Sequence, residues 1–243
     1  MKKYSLMLLL IFFAACQSTK IKNNTYKISD TAPELGSIGQ SKIGYKANNE
    51  FEVRTLPKLE KNIRIAVEVV PFNRKLYKIY SAKAKYNQDL SKVSYVDSLP
   101  KKPELVTIRL LDVVNFLNEL NADYNKDVFR FITDTQNSEV VTSLAFCLSI
   151  DEIAKIKKAD NFYLTTYQDS KYAISLYKLG KKTDILFINS LNIVAYRLSK
   201  FCWGVTDRGQ WYIADIIEGS SSCKGNTKDK ISKKEEQESL FDI

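Results

Sequence analysis

Trp203, Trp211 and Asp215 are the residues of this chain whose types and spacing come nearest to a binding chemistry. Phe201 to Thr206 and Gln210 to Ile217 each alternate like a strand. They are joined by Asp207-Arg208-Gly209, a length suited to a three-residue hairpin loop with glycine at the bulge position. That pairing puts Phe201, Trp203 and Val205 on one face with Trp211, Ile213 and Asp215. Indole faces offer large contact area with fixed geometry, and a carboxylate beside them hydrogen-bonds a sugar or a peptide, so the group is a candidate ligand-binding site. The competing reading is core packing, with Asp215 at the sheet edge or paired to Arg197. A two-residue turn would shift the register, set Tyr212 opposite Val205 and dissolve the constellation. Tyr163, Tyr167 and Tyr177 alternate onto one side of their own hairpin and form a second candidate aromatic surface.

The 243 residues include no histidine. This removes Ser-His-Asp and Cys-His catalysis, the common zinc ligand sets and pH switching through imidazole. Carboxylate pairs are the remaining route to acid–base chemistry. Glu119 with Asp123, or Asp123 with Asp127, are spaced to face each other on a helix or its end, but a solvated face in this polar, lysine-containing stretch explains them with no further assumption. No Walker loop, G-x-S-x-G or EF-hand loop occurs, so no catalytic residue, metal ligand or cofactor is assigned. Cys202 and Cys223 are candidates for a disulfide in an oxidising compartment, worth about 3 kcal/mol in the chain-entropy model. Two free thiols are the alternative. Cys147, within the apolar run Val140 to Leu148, reads as a buried small side chain, and the absence of C-x-x-C spacing leaves a redox motif without support.

The elements that must position these residues read as follows. Ile63, Ile65, Val67 and Val69 alternate with Arg64, Ala66 and Glu68, the pattern of a strand with one buried face. After Pro71-Phe72-Asn73-Arg74, Lys75 to Ala84 continues it as an antiparallel partner, and Glu104 to Leu111 is a further strand. The period then changes. Asp112 can cap a helix carrying Val113, Leu117 and Leu120 that ends near Asn121. Ser149-Ile150-Asp151-Glu152 matches a capping box, with Lys155, Lys157 and Lys158 towards the end of a second short helix to about Ala159, as the helix dipole prefers. Residues 162–167 and 172–177 read as a hairpin, followed by a turn at Leu179-Gly180-Lys181-Lys182 and strands over 184–188 and 192–198. The fold class expected is α+β: a mainly antiparallel sheet, curved or in two layers, with two short helices.

The first sixteen residues carry a different signal. Lys2 and Lys3 precede an uncharged apolar run from Leu6 to Ala15, and Phe13-Ala14-Ala15-Cys16 follows at its end. Ten apolar residues are too short to cross a hydrocarbon core of about 30 Å but suit a secretory signal. The segment resembles the signal peptide and lipobox of bacterial lipoproteins, with a bulky phenylalanine where that box usually has leucine. The resemblance implies cleavage before Cys16, diacylation of its thiol, and stable anchoring by two or three acyl chains. An ordinary signal peptide with a chance cysteine is the alternative. Gln17 and Ser18, in place of an aspartate after the cysteine, imply the outer membrane, and the basic Ser18-Thr19-Lys20-Ile21-Lys22 points to its periplasmic face.

The organisation expected is therefore a signal peptide over 1–15, a lipid-anchored flexible linker over 16–57, an α+β domain over 58–219 and a charged disordered tail over 220–243. As a coil the linker would reach on the order of 35 Å. Removing residues 1–15 takes Lys2 and Lys3 and lowers the formal charge from +9 to +7. The lysines are scattered rather than clustered with aromatics, so nucleic acid is not an expected partner, and a basic surface near anionic lipid is the better reading. The expected role is a membrane-anchored, non-catalytic envelope component that binds a protein partner or supports an assembly. A glycan or small-ligand module built on Trp203 and Trp211 is the second class, and an envelope hydrolase with acidic residues the third.

Overall fold

The computed structural model describes residues 18–28, 33–42, 50–86, 93–100, 102–167, 171–188, 193–219 and 221–231. In chain order they form β1 (Ser18–Ile21), β2 (Asn24–Ile28), β3 (Ile38–Lys42), β4 (Glu50–Thr55), β5 (Ile63–Pro71), α1 (Arg74–Tyr86), β6 (Glu104–Leu110) and α2 (Val113–Leu120). A single 3-10 turn (Asp123–Asn125) leads into α3 (Lys126–Asp134), β7 (Ser138–Phe146), α4 (Ile150–Lys158), β8 (Asn161–Thr166) and β9 (Tyr172–Lys178). The chain ends with β10 (Lys181–Leu186), β11 (Ile193–Val205) and β12 (Trp211–Glu218). The sheet runs β1-β2-β11-β7-β6-β5-β8-β9-β10, with β12 beside β11 and the β3–β4 hairpin paired to β7. All pairings are antiparallel. The α+β class with a mainly antiparallel sheet is as the sequence implies, but the described residues hold four α-helices rather than two.

Burial explains the layering. Neighbours along a strand point to opposite faces, so Val106 joins one apolar cluster and Leu105 the other. The larger cluster takes Phe116, Leu117 and Leu120 of α2, Val128 and Ile132 of α3, and Ile153 and Ile156 of α4. The smaller takes Leu76 and Tyr80 of α1 with Ile21 and Tyr26 of β1 and β2. Being covered on both faces, β7 is an almost unbroken run of buried residues.

Three expectations change. Lys75 to Ala84 is not a strand but lies in α1: Asn73 Oδ1 accepts the Leu76 N–H at 2.9 Å, an N-terminal cap, and Leu76 and Tyr80 recur four apart on the buried face. The span 16–57 is not a flexible linker where it is described. It supplies β1 to β4, and Ile21, Tyr26, Leu35, Ile38 and Phe51 are all buried. Its apolar residues are too sparse to show a period, yet each fills the sheet. Nor is the start of the span 220–243 a disordered tail: residues 221–231 pack on β11 through a two-way backbone pair between Trp203 and Lys228, both bonds 2.8 Å, and 232–243 lie outside the described residues. Strands 192–198 and 201–206 are one continuous strand, β11.

Local signals held where they were strongest. Asp112 caps α2 by accepting the Asn115 N–H at 3.1 Å. The box at α4 closes both ways: Glu152 N–H donates to Ser149 Oγ at 3.3 Å, and Ser149 N–H to Glu152 Oε2 at 2.9 Å.

The β9–β10 connection is a two-residue turn, Leu179-Gly180, with φ of 49° and 76°. Positive φ at both positions suits Asn-Gly, not leucine, whose Cβ is crowded against the following carbonyl oxygen there. Asp160 Oδ2 accepts the Leu179 N–H at 2.9 Å, and this bond, followed by one from the Asn161 side chain, holds the Asp160 carboxyl below its ordinary range. Replacing Leu179 by Asn is expected to raise stability by about 0.5–1 kcal/mol, read as a higher denaturation midpoint. An unchanged or lower midpoint would show that the turn does not strain the leucine.

Candidate functional site

The β11–β12 hairpin carries the sequence's candidate residues, and its loop is the expected three-residue one. Thr206 N–H donates to Gln210 O and Gly209 N–H to Thr206 O, both at 2.9 Å, with Gly209 at φ 74°. From this loop Val205 pairs with Trp211 and Trp203 with Ile213, placing both indoles on one face as anticipated. Asp215 does not join them. The register shifts beyond Trp203, so Cys202 lies opposite Asp215, and Ala214 is the extra residue that turns the aspartate onto the other face. Its Oδ1 accepts the Ile216 N–H at 2.8 Å. Arg197, the partner considered for it, pairs instead with Glu218 and lies 5.7 Å from the centroid of the Tyr26 ring.

Trp203 is core and floor at once. It is buried, edge-on to Phe129 of α3 at 5.9 Å, and held on its backbone by Lys228. Trp211 is half-buried, with the Lys228 ammonium 5.3 Å from its ring centroid, and its Nε1 is buried without a hydrogen-bond partner. Both indoles line a broad open groove of about 1310 Å³ between α3, the start of β7, the β11–β12 hairpin and the segment ending at Ile231. Phe129, Ile132 and Phe201 extend its apolar floor, while Lys126, Arg130, Lys200 and Lys230 supply cations. Asp134, Glu139 and Asp229 supply anions, so both signs of charge surround an aromatic base. Glu139 is engaged by Ser41, whose hydroxyl donates to its Oε2 at 2.6 Å, and Ser41 in turn accepts from the Lys27 ammonium at 3.1 Å.

The segment 223–231, whose Asp229, Lys230 and Ile231 wall the groove, is pinned by a disulfide between Cys202 and Cys223, with Cα atoms 5.7 Å apart. Of the two readings left open for these cysteines, the structure has the bond. Their sulfurs and an Asp229 oxygen lie within 4.8 Å of one another, the spacing of a metal ligand group. With each sulfur bonded to the other there is no thiolate to donate, and Asp229 accepts the Cys223 N–H at 3.4 Å. Cys147 is buried beside the α1 face of the sheet. Cys16 lies outside the described residues.

The carboxylate pairs separate. Asp123 and Asp127 are exposed, whereas Glu119 is buried and accepts the N–H groups of Glu60 and Lys61 at 2.5 and 3.4 Å. Beside it Asn125 accepts the Lys58 N–H and donates to the carbonyls of Lys58 and Glu119, each at 2.8 Å. This is a polar staple that ties α2 to the β4–β5 connection, so the solvated-face reading fails for Glu119. Burial, and then a hydrogen bond to Glu119, push the Tyr124 hydroxyl up to about 12. S-x-x-K spacing, a signature of Ser-Lys catalysis, falls at Ser98–Lys101, where Ser98 is exposed and Lys101 lies outside the described residues, and at Ser175–Lys178, where residues three apart on a strand face opposite ways and buried Ser175 is engaged with Thr165 at 3.1 Å. At Ser221–Lys224 it falls on exposed surface. Of the tyrosine face, Tyr163 and Tyr177 meet edge-on at 5.1 Å, while Tyr167 packs on Phe187 at 4.8 Å.

Among the described residues no helix is long and apolar enough to cross a membrane. No protein-family model matches the chain, and neither does any curated protein or solved structure compared with it.

Proposed function

We propose that this chain is a lipid-anchored envelope protein, held at the outer membrane facing the periplasm, that binds a protein partner without catalysis in the groove over Trp203 and Trp211. The groove carries the reading: it is open, about 1310 Å³ in volume, aromatic at its base and charged with both signs at its rim. The disulfide fits an oxidising compartment.

With acylation at Cys16, two residues reach at most about 7 Å to Ser18, rather than a long tether. Ser18 pairs with Lys27, whose ammonium reaches Ser41 on the groove edge. Lys27 pairs with Tyr196 near the start of β11, whereas Trp203 lies towards its end beside the start of β7, so the groove opens at the strand ends away from the anchor and a partner there would meet the face turned from the bilayer.

A glycan is the second reading, favoured by the half-buried Trp211 ring on the groove, an aromatic surface suited to stacking on a sugar. Crosslinking and pull-down of the lipidated protein from its native envelope tests both. A stoichiometric protein is expected, lost in Cys16→Ser and weakened about tenfold in Trp211→Ala. Recovery of the lipoprotein alone overturns the protein-partner reading, and quenching of Trp fluorescence by cell-wall glycan fragments would then replace it. Unchanged detergent-phase partitioning of Cys16→Ser overturns the anchor.

A further inference from the structure

Three features that are each unfavourable in water meet at the β9–β10 turn. Leu179 is 85% exposed, the most exposed large apolar side chain among the described residues, and it occupies a left-handed conformation that leucine disfavours. Lys178 and Lys181, which flank it, are direct cross-strand partners, a like-charge pair that destabilises a hairpin. Lys182 follows at once and is exposed too. Soluble hairpins relieve each of these with Asn-Gly and with opposite charges.

The surroundings extend the same chemistry. A cleft of about 460 Å³ runs between the C-terminal half of α4 and β9–β10, walled by Lys155, Lys158, Lys178, Leu176, Thr183 and Asp184. Asp184 is taken up by Lys155 at 2.7 Å, which leaves the face net positive. At the other end of α4, Ile150 is 84% exposed. Strand direction is consistent: because every neighbour is antiparallel, β9 ends and β10 begins at the same strand ends where β1 begins, two residues after Cys16.

We infer that the β9–β10 turn is a second membrane contact, in which Leu179 inserts between lipid headgroups while Lys178, Lys181 and Lys182 bind anionic phosphates. The inference rests on the envelope-lipoprotein reading for its setting. An anionic bilayer turns each local cost into a gain: the leucine leaves water, and the paired lysines share headgroup charge instead of repelling. It also gives a lipid-anchored domain a fixed seat, since acyl chains hold a protein to a surface without orienting it.

The test uses a chain beginning at Gln17, which contains every described residue but no acyl group, sedimented with vesicles of phosphatidylcholine with or without phosphatidylglycerol. Binding is expected only to the anionic vesicles and is expected to fall with added salt. Leu179→Asn should weaken it about tenfold or more, and Lys181→Gln with Lys182→Gln about fivefold per charge. Leu179→Asn relieves strain, so its loss of binding would not come from unfolding, and its denaturation midpoint is measured alongside. Binding unaffected by Leu179→Asn, equal binding to neutral vesicles, or no binding to either overturns the contact. So does capture of a lipid-free envelope protein that Leu179→Asn abolishes, which would make the turn a protein-docking tip. Because no acyl group is present, failure here leaves the Cys16 anchor to be judged by detergent partitioning of the lipidated chain.

Discussion

Removing the Cys202–Cys223 disulfide, by Cys202→Ala with Cys223→Ala or by reductant, is expected to cost about 3 kcal/mol of stability and to abolish binding in the groove. The bond closes a loop of 21 residues in sequence, which restricts the unfolded chain by about that amount in the loop-entropy model. Its effect on the native state is local. The segment from Cys223 to Ile231 is attached to β11 by the bond, by the Trp203–Lys228 backbone pair and by the Lys228 ammonium over Trp211. Without the covalent link, the Trp203–Lys228 backbone pair, a cation–π contact and the packing of Ile231 on the core remain, too little to order nine residues. Denaturant titration with and without reductant reads the first effect, and Trp fluorescence quenching by ligand the second. A midpoint that does not move on reduction would show that the bond contributes nothing to the fold.

Glu119→Ala is expected to destabilise by about 3 kcal/mol, lowering the melting temperature by about 10 °C. Glu119 is 1% exposed and its carboxylate accepts two backbone N–H groups from the β4–β5 connection, which lose this charged acceptor when it is gone. Hydrogen bonds to a charged group are worth about 1.5–3 kcal/mol, and an unmatched buried donor costs more than the bond it replaces. Glu119→Gln keeps one acceptor oxygen and should lose about half as much. A melting temperature within about 1 °C of the parent for Glu119→Ala would return the residue to the solvated face that its spacing with Asp123 implied.

Local chemistry was legible. Asp112 and Ser149-Glu152 each fix a helix start through bonds to residues three away, and Asp207-Arg208-Gly209 sets its own hairpin register, so no distant partner is needed to read them. The pairing of Val205 with Trp211 and of Trp203 with Ile213 follows from that loop alone. Asp215 escaped because one unpaired residue, Ala214, inverts every side chain beyond it, and nothing in the local pattern marks a bulge there. The stretch containing α1 failed for a different reason. Leu76, Tyr77, Ile79 and Tyr80 satisfy a two-residue and a four-residue period alike, and only the Asn73 cap separates the two.

The amino-acid sequence by itself determined the α+β class, the starts of α2 and α4, the hairpins at 162–177 and 201–217, and the exclusion of histidine chemistry. All of these rest on residue identity or on spacings of a few positions. Tertiary structure alone decided that the first strands fill the sheet instead of tethering it, that Glu119 is a buried staple, and that residues 229–231 wall a groove over two indoles. Each of these depends on contacts between residues tens of positions apart, where burial and unpaired donors are settled by what the rest of the chain brings alongside.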